Sequence, residues 1–136
     1  MLPARSAASV WGIDAGGSRT TAIVVGPDGD VSVAHYGSVS IGTAGTSAAT
    51  AGLTNVFESM RSELVAGQFA FGCIGCSSAP VAEESPYPDV LTQVIESHAP
   101  AGTVLFVNDM VPLLYAPPMS AVGIVVSSGR GSCVLG

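Results

Sequence analysis

Three short apolar stretches follow one another within the first quarter of the chain, with a glycine turn between each pair. The first runs Val10-Trp11-Gly12-Ile13 to Asp14-Ala15, and Gly16-Gly17-Ser18-Arg19-Thr20-Thr21 leads into the second, Ala22-Ile23-Val24-Val25. Gly26-Pro27-Asp28-Gly29 then turns the chain into a third, alternating stretch, Val31-Ser32-Val33-Ala34-His35. Short apolar runs bounded by Gly, Pro and Asp read as strands, and tight turns between them read as hairpins. The opening of this chain is therefore expected to be an antiparallel three-strand meander.

The first turn carries chemistry as well as geometry. Glycines there leave backbone N–H groups bare and let an anion approach closely. Asp14, at the end of the first strand, can hold a divalent metal through water beside that anion. The segment reads as a place for nucleotide phosphates with Mg²⁺. A Walker loop is excluded, because no G-x-x-x-x-G-K-[ST] occurs and the chain has no lysine. A Rossmann fingerprint is excluded too, because a strand rather than a helix follows the glycines. The plain alternative is an ordinary glycine hairpin.

A length of 136 residues, 48% of them hydrophobic and only 10% charged, suits a globular domain with a real core. A net charge of −6 with only four basic residues argues against a nucleic-acid groove or a polybasic membrane anchor. No apolar run reaches the length of a membrane span, and no signal-peptide pattern opens the chain. The default location is cytoplasmic, with 1–9 as a flexible leader. Cys73 and Cys76 have C-x-x-C spacing, but no second pair accompanies them and Cys133 stands apart. Small apolar cysteines in a buried strand are the expected reading, with a zinc or redox site the alternative.

Beyond the meander, 36–47 reads as a Gly/Ser/Thr-rich loop. Leu53, Val56, Phe57, Met60 and Leu64 then share one helical face, with Glu58, Arg61 and Glu63 opposite and Gly67 as the stop. Residues 69–75 read as a buried strand, and a helix from Pro88 or Asp89 is expected to bury Val90, Leu91, Val94 and Ile95. Thr103-Val104-Leu105-Phe106-Val107 is a continuous apolar run of the kind found inside a parallel sheet. A short helix over 110–115 follows. Residues 121–126 read as a further strand, running into Ser127-Ser128-Gly129-Arg130-Gly131-Ser132 and a last strand from Cys133. This strand, turn, strand pattern echoes the one at Asp14. The order is β-β-β-α-β-α-β-α and then a hairpin, which predicts an α/β fold with a mixed sheet and helices on its faces.

That order and four segments resemble the actin-like ATPase superfamily of sugar kinases, actin and heat-shock chaperones. The resemblance is to its N-acetylglucosamine kinase-like, BadF/BadG/BcrA/BcrD-type members, and it covers almost the whole chain but only the N-terminal part of such a protein. It implies a ribonuclease H-like, actin-type lobe with a five-stranded sheet, three meander strands and then parallel ones. Residues 10–119 would form that lobe and 120–136 the first hairpin of a second, truncated one. Gly12-Ile13-Asp14-Ala15-Gly16-Gly17-Ser18-Arg19-Thr20 is similar to the first phosphate motif. It implies ATP and Mg²⁺ as cofactors, Asp14 as the metal residue, and Gly16, Gly17, Ser18, Arg19 and Thr20 near the phosphates. Gly129, Arg130, Gly131 and Ser132 fall on the second phosphate motif, with Arg130 where threonine is usual.

The resemblance also implies the acceptor side. Val104-Leu105-Phe106-Val107-Asn108-Asp109 is similar to the strand that delivers an acceptor-binding Asn and a catalytic Asp. A carboxylate there suits phosphoryl transfer to an alcohol, which needs the acceptor's proton removed. Without the resemblance, Asp109 reads as a cap on the following helix. Gly75-Cys76-Ser77-Ser78-Ala79 falls on a turn at the sugar cleft, with Ser78 in place of glycine. Ser40 stands where these kinases often carry a sugar-binding Asn. The implied function is ATP-dependent phosphorylation of a sugar or amino-sugar hydroxyl, with substrate contacts from Asn108, Asp109, Ser77, Ser78 and Ser40. The partners are then a small sugar, no nucleic acid and no membrane, and an unpaired terminal strand edge invites a homodimer. The rivals are an ATPase that drives a partner enzyme, with Cys73 and Cys76 on an Fe–S cluster, and a non-catalytic nucleotide- or sugar-binding module.

Overall fold

The computed structural model describes residues 8–63, 69–77, 79, 88–100, 102–118, 122–128 and 132–135. Five strands form one sheet in the order β3-β2-β1-β4-β5. The meander is β1 (Ser9–Ala15), β2 (Arg19–Val25) and β3 (Val31–Gly37), antiparallel throughout. Next come α1 (Ile41–Ala44), α2 (Thr46–Glu63), β4 (Phe69–Cys76), α3 (Pro88–His98), β5 (Thr103–Asn108) and α4 (Val111–Tyr115). β4 pairs with β1 and β5 with β4, both parallel. The mixed sheet with parallel later strands and flanking helices is the architecture the sequence predicts.

The second turn is built as its residues dictate. Pro27 presets one turn dihedral, and Gly29 takes φ 88, a conformation that favours glycine. The Gly29 amide donates to Gly26 O at 3.0 Å and the Gly26 amide to Asp30 O at 2.8 Å, which sets the β2–β3 register.

Side-chain alternation sorts the sheet into two faces. Trp11, Ile13, Ala15, Ala22, Val24, Ile74 and Cys76 point into the core, where Leu53, Val56, Phe57 and Met60 of α2 and Leu91 and Ile95 of α3 meet them. Trp11 and Phe57 make an edge-on contact with centroids 5.8 Å apart. The predicted apolar face of α2 is thus the packed one, while Leu64 and Gly67 lie outside the described residues. α4 begins on the opposite face, where Pro112 meets Gly75.

Four local expectations change. β1 starts at Ser9, which is buried, so Ser9 belongs to the first strand rather than to the expected leader. The loop expected over 36–47 is shorter, because β3 continues through Tyr36 and Gly37 against Thr20 and Arg19. Buried Ile41 then seats α1, which Gly45 ends at φ 79. β5 is parallel but lies at the sheet edge, and Leu105, on the uncovered face of the sheet, is 44% exposed rather than interior. The late strand expected over 121–126 is β6 (Val125–Ser128), antiparallel to β7 (Ser132–Leu135) in a separate two-stranded sheet. Val122 and Ile124 before it are exposed, and Gly123 adopts φ 154.

Candidate functional site

The turn between β1 and β2 is narrow. The Gly16 amide donates to Arg19 O at 3.1 Å, so this N–H serves the turn. Any Cβ on residue 16 would lie 2.9 Å from that same carbonyl, so only glycine fits. Among the described residues nothing accepts from the Gly17 and Ser18 amides. Those two are the bare donors that the sequence suggests. The exposed hydroxyl of Thr43 sits 3.2 Å from where a Gly17 Cβ would be, so α1 adds a polar group that no motif marks.

The segment after β3 braces this turn from behind. Ser38 Oγ donates to Gly16 O at 3.0 Å and accepts the Ser40 amide at 3.2 Å. The Val39 amide donates to Thr20 Oγ1 at 3.2 Å. Thr20 is fully buried and Ser40 nearly so. The structure therefore sets Thr20 in the wall behind the turn, and Ser40 at the start of α1, where its side chain makes no cap. Arg19 and Ser18 are exposed at the turn's outer side.

The second carboxylate comes from the far side of the sheet order. Asp14 pairs laterally with Gly75, and Gly75 with Val107. Two residues past Val107 the chain leaves β5 and folds back over β4. The Asp109 amide donates to Cys76 O at 3.3 Å. Asp109 Cα lies only 3.2 Å from the point where a Gly75 Cβ would sit. Asp14 and Asp109 consequently line one open cleft of about 530 Å³, with Gly12 and Gly75 as its floor and Thr21, Ile23, Val33, Cys73, Pro112 and Leu113 around it. Asp109 is not the cap of α4, whose N-cap position is Met110 and which has no side-chain cap bond. Burial, and then the Asp14 carboxylate, push the Asp109 carboxyl above its ordinary value, against the opposing pull of the Asp109 and Met110 amides.

Asn108 works inside the protein. Its Nδ2 donates to Ala79 O at 3.1 Å and its Oδ1 accepts the Met110 amide at 3.1 Å. It ties the turn after β4 to the start of α4. Ser77 is exposed beside the end of β1, and its amide donates to Ala15 O at 3.4 Å. Ser78, Gly129, Arg130 and Gly131 lie outside the described residues, and Ser132 opens β7 opposite Ser128.

Cys73 and Cys76 are three residues apart on a strand, so they face opposite sides. Cys76 is buried in the core, whereas Cys73 lines the cleft. Burial pushes the Cys73 thiol up, which keeps it protonated at neutral pH. One ion cannot take both sulfurs of this strand. Among the described residues no cluster of three or more His, Cys, Asp or Glu could hold a metal. Two hard carboxylates beside exposed amides do fit a Mg²⁺ that keeps most of its water and shares phosphate oxygens. Thr21, which hydrogen-bonds His35 at 3.2 Å, and Gly75, the first residue of the cleft-turn segment, line the cleft although neither was given a role by the motifs. Strand periodicity could have found both, since they share a face with Asp14. A second cavity of about 400 Å³ between α3 and β5 has Glu96 as its only carboxylate and shares no residue with this cleft.

No protein-family model matches the chain, and no curated protein matches it. Solved structures do. A candidate N-acetylglucosamine kinase from Chromobacterium violaceum aligns with 95% of this chain at TM-score 0.63 and 22% identity. The ethanolamine utilization protein EutJ from Carboxydothermus hydrogenoformans aligns with 98% at TM-score 0.58 and 16% identity. The fold is of the actin-like type. The chain spans 45% and 47% of those two structures, less than half of each. In this actin-like lobe, Asp14 and the glycine turn end the first strand and Asp109 follows the fifth. No helix among the described residues is long and apolar enough to cross a membrane.

Proposed function

We propose that the chain is the phosphate- and acceptor-binding lobe of an ATP-dependent kinase acting on a sugar or amino-sugar hydroxyl. The observation that carries this reading is the meeting of Asp14 and Asp109 in one cleft, with the bare Gly17 and Ser18 amides in the turn that follows Asp14. Asp109, raised in pKa yet half exposed, takes the proton of the acceptor hydroxyl onto a carboxylate oxygen. The freed oxygen attacks the terminal phosphorus of ATP, and ADP leaves. Asp14 would hold Mg²⁺ through water, and a bound ion would supply neutralising charge at the phosphates. The Gly17 and Ser18 amides and the Arg19 guanidinium receive phosphate oxygens, and Arg130 adds a charge-assisted contact from the second turn. Asn108 holds Asp109 in place through Ala79 and Met110, while Ser77 and Ser78 flank the acceptor.

In this reading 10–119 form the lobe and 120–136 open a second one. A cytoplasmic location goes with the use of ATP. The partner is a small sugar rather than nucleic acid or a membrane. The rival reading is a nucleotide- or sugar-binding module without turnover, and the measurements below separate the two. An Fe–S ATPase is disfavoured by the opposite facing of Cys73 and Cys76.

The test is ADP release with Mg·ATP over glucosamine, N-acetylglucosamine and glucose, with Asp109→Asn alongside. Sugar-dependent release that falls by about a hundredfold or more in the variant supports the kinase. Equal turnover in the variant overturns the assignment of Asp109. Calorimetry with Asp14→Ala separates the module from a chain that binds nothing: Mg-dependent nucleotide binding is expected in the wild type and lost in the variant.

A further inference from the structure

We infer that Gly75 is the positioning residue of this site: its missing side chain is the notch that lets Asp109 lie over β4 beside Asp14. The inference rests on the reading of Asp109 as the base, and it gives a role to Gly75, which the cleft-turn motif contains but assigns none.

The geometry is specific. Gly75 stands between Asp14 and Val107 in the parallel register, so it occupies the sheet position that separates the two carboxylate-bearing strands. A Cβ on residue 75 would be 3.2 Å from Asp109 Cα, 3.7 Å from Asp109 Cβ and 3.5 Å from Pro112 Cγ. The first contact is with backbone, which cannot rotate away as a side-chain tip does. Gly75 has no left-handed φ, so its need for glycine is steric rather than conformational. The neighbours are also pinned. The Asp109 amide is bonded to Cys76 O, and Asn108 bridges Ala79 and Met110. An added methyl therefore shifts the 109–112 segment outward as a unit, by a few tenths of an ångström. The other glycine of the cleft floor, Gly12, meets only Ile23 Cγ2 at 3.3 Å and Cys73 O at 3.9 Å, so it makes room for a ligand without steering either carboxylate. Catalysis is steeply sensitive to such offsets, since a misplacement of about 1 Å can cost about a hundredfold.

The test is Gly75→Ala in the full chain, with Asp109→Asn as reference and crystal structures of variant and wild type. The expected result is a folded variant whose Asp109 Cα has moved away from β4. Its kcat falls by about tenfold or more, and its KM for Mg·ATP stays within about twofold, because the glycine turn is untouched. A purely structural residue would not split kcat from KM in this way. Wild-type kcat, an unmoved Asp109, or a variant that fails to fold each overturns the inference. Should the wild type transfer no phosphate to any sugar, the kinase reading fails by itself, and the displacement of Asp109 alone then decides whether Gly75 positions it.

Discussion

The two faces of the five-stranded sheet use glycine to opposite ends. On the core face Gly72 lets the Trp11 ring lie flat on β4, where a Cβ would sit 2.1 Å from the indole. That contact is dry and continuous with Phe57 and the rest of the α2 layer. On the other face Gly75, three residues along the same strand, admits a backbone and a carboxylate. This face stays open: Val10, Ile23, Val33, Phe71 and Leu105 are all at least 40% exposed. One strand thus serves a packed layer with its even positions and an open cleft holding two carboxylates with its odd ones. The lesson is that the same residue type, three residues along one strand, is a packing device on one face and makes room for a carboxylate-bearing segment on the other.

The comparison breaks most visibly at Gly72. Gly72→Ala drives a methyl into the Trp11 ring, and neither the ring nor the strand has room to yield against α2. Overpacking of this degree exceeds the usual cost of about 1–3 kcal/mol, and a chain lacking cooperative urea unfolding at 25 °C is the expected outcome. Gly75→Ala, on the same strand, is expected to keep its transition. Equal stability of the two variants would mean that the faces do not differ as described.

Thr20 tests the join between the faces, since it is a buried hydroxyl directly behind the glycine turn. Thr20→Val keeps the shape and removes the acceptor of the Val39 amide. A buried N–H left unpaired costs about 1–3 kcal/mol, so urea unfolding should show a loss in that range. Thr20→Ser keeps the bond and loses only a methyl, so it should cost less. Reversal of that order would show that Val39 relies on packing rather than on the hydroxyl.

Periodicity made most of the packed face legible. Leu53, Val56, Phe57 and Met60 announce their face by helical spacing, and β1 and β2 alternate so regularly that the meander follows. The cleft was half legible. Asp14 and Asp109 stand at strand ends, where a motif can mark them, but their meeting depends on the order β1-β4-β5, a non-local pairing that spacing does not encode. The buried setting of Ser40 and Thr20 was not legible for the same reason: nothing local to either says that 38–40 folds behind the turn. The interior placement expected for Thr103-Val104-Leu105-Phe106-Val107 failed because an apolar run reports burial of one strand, not its rank in the sheet. The short α1 has little helical propensity of its own and exists because Val39 and Ile41 are buried.

The smallest effect is the most diagnostic of the open face. Burial and the Asp14 charge raise the Asp109 carboxyl in the folded chain, so the folded state holds that proton more tightly than the unfolded one does. Stability from this group is then greatest below the unfolded carboxylate value and falls as pH rises through the raised folded value. At neutral pH the ionised Asp109 is a net cost. Asp109→Asn removes that cost, with solvent screening holding the gain to a Tm rise of roughly 1–3 °C at pH 7. The advantage should shrink as pH falls toward 4 and vanish below it. Asp14→Asn should give part of the same gain, because it removes the second cause and leaves burial in place. A Tm difference between Asp109→Asn and wild type that does not change with pH would mean that the two carboxylates do not face each other across the cleft. The loss of turnover in Asp109→Asn would then have to be explained without Asp14.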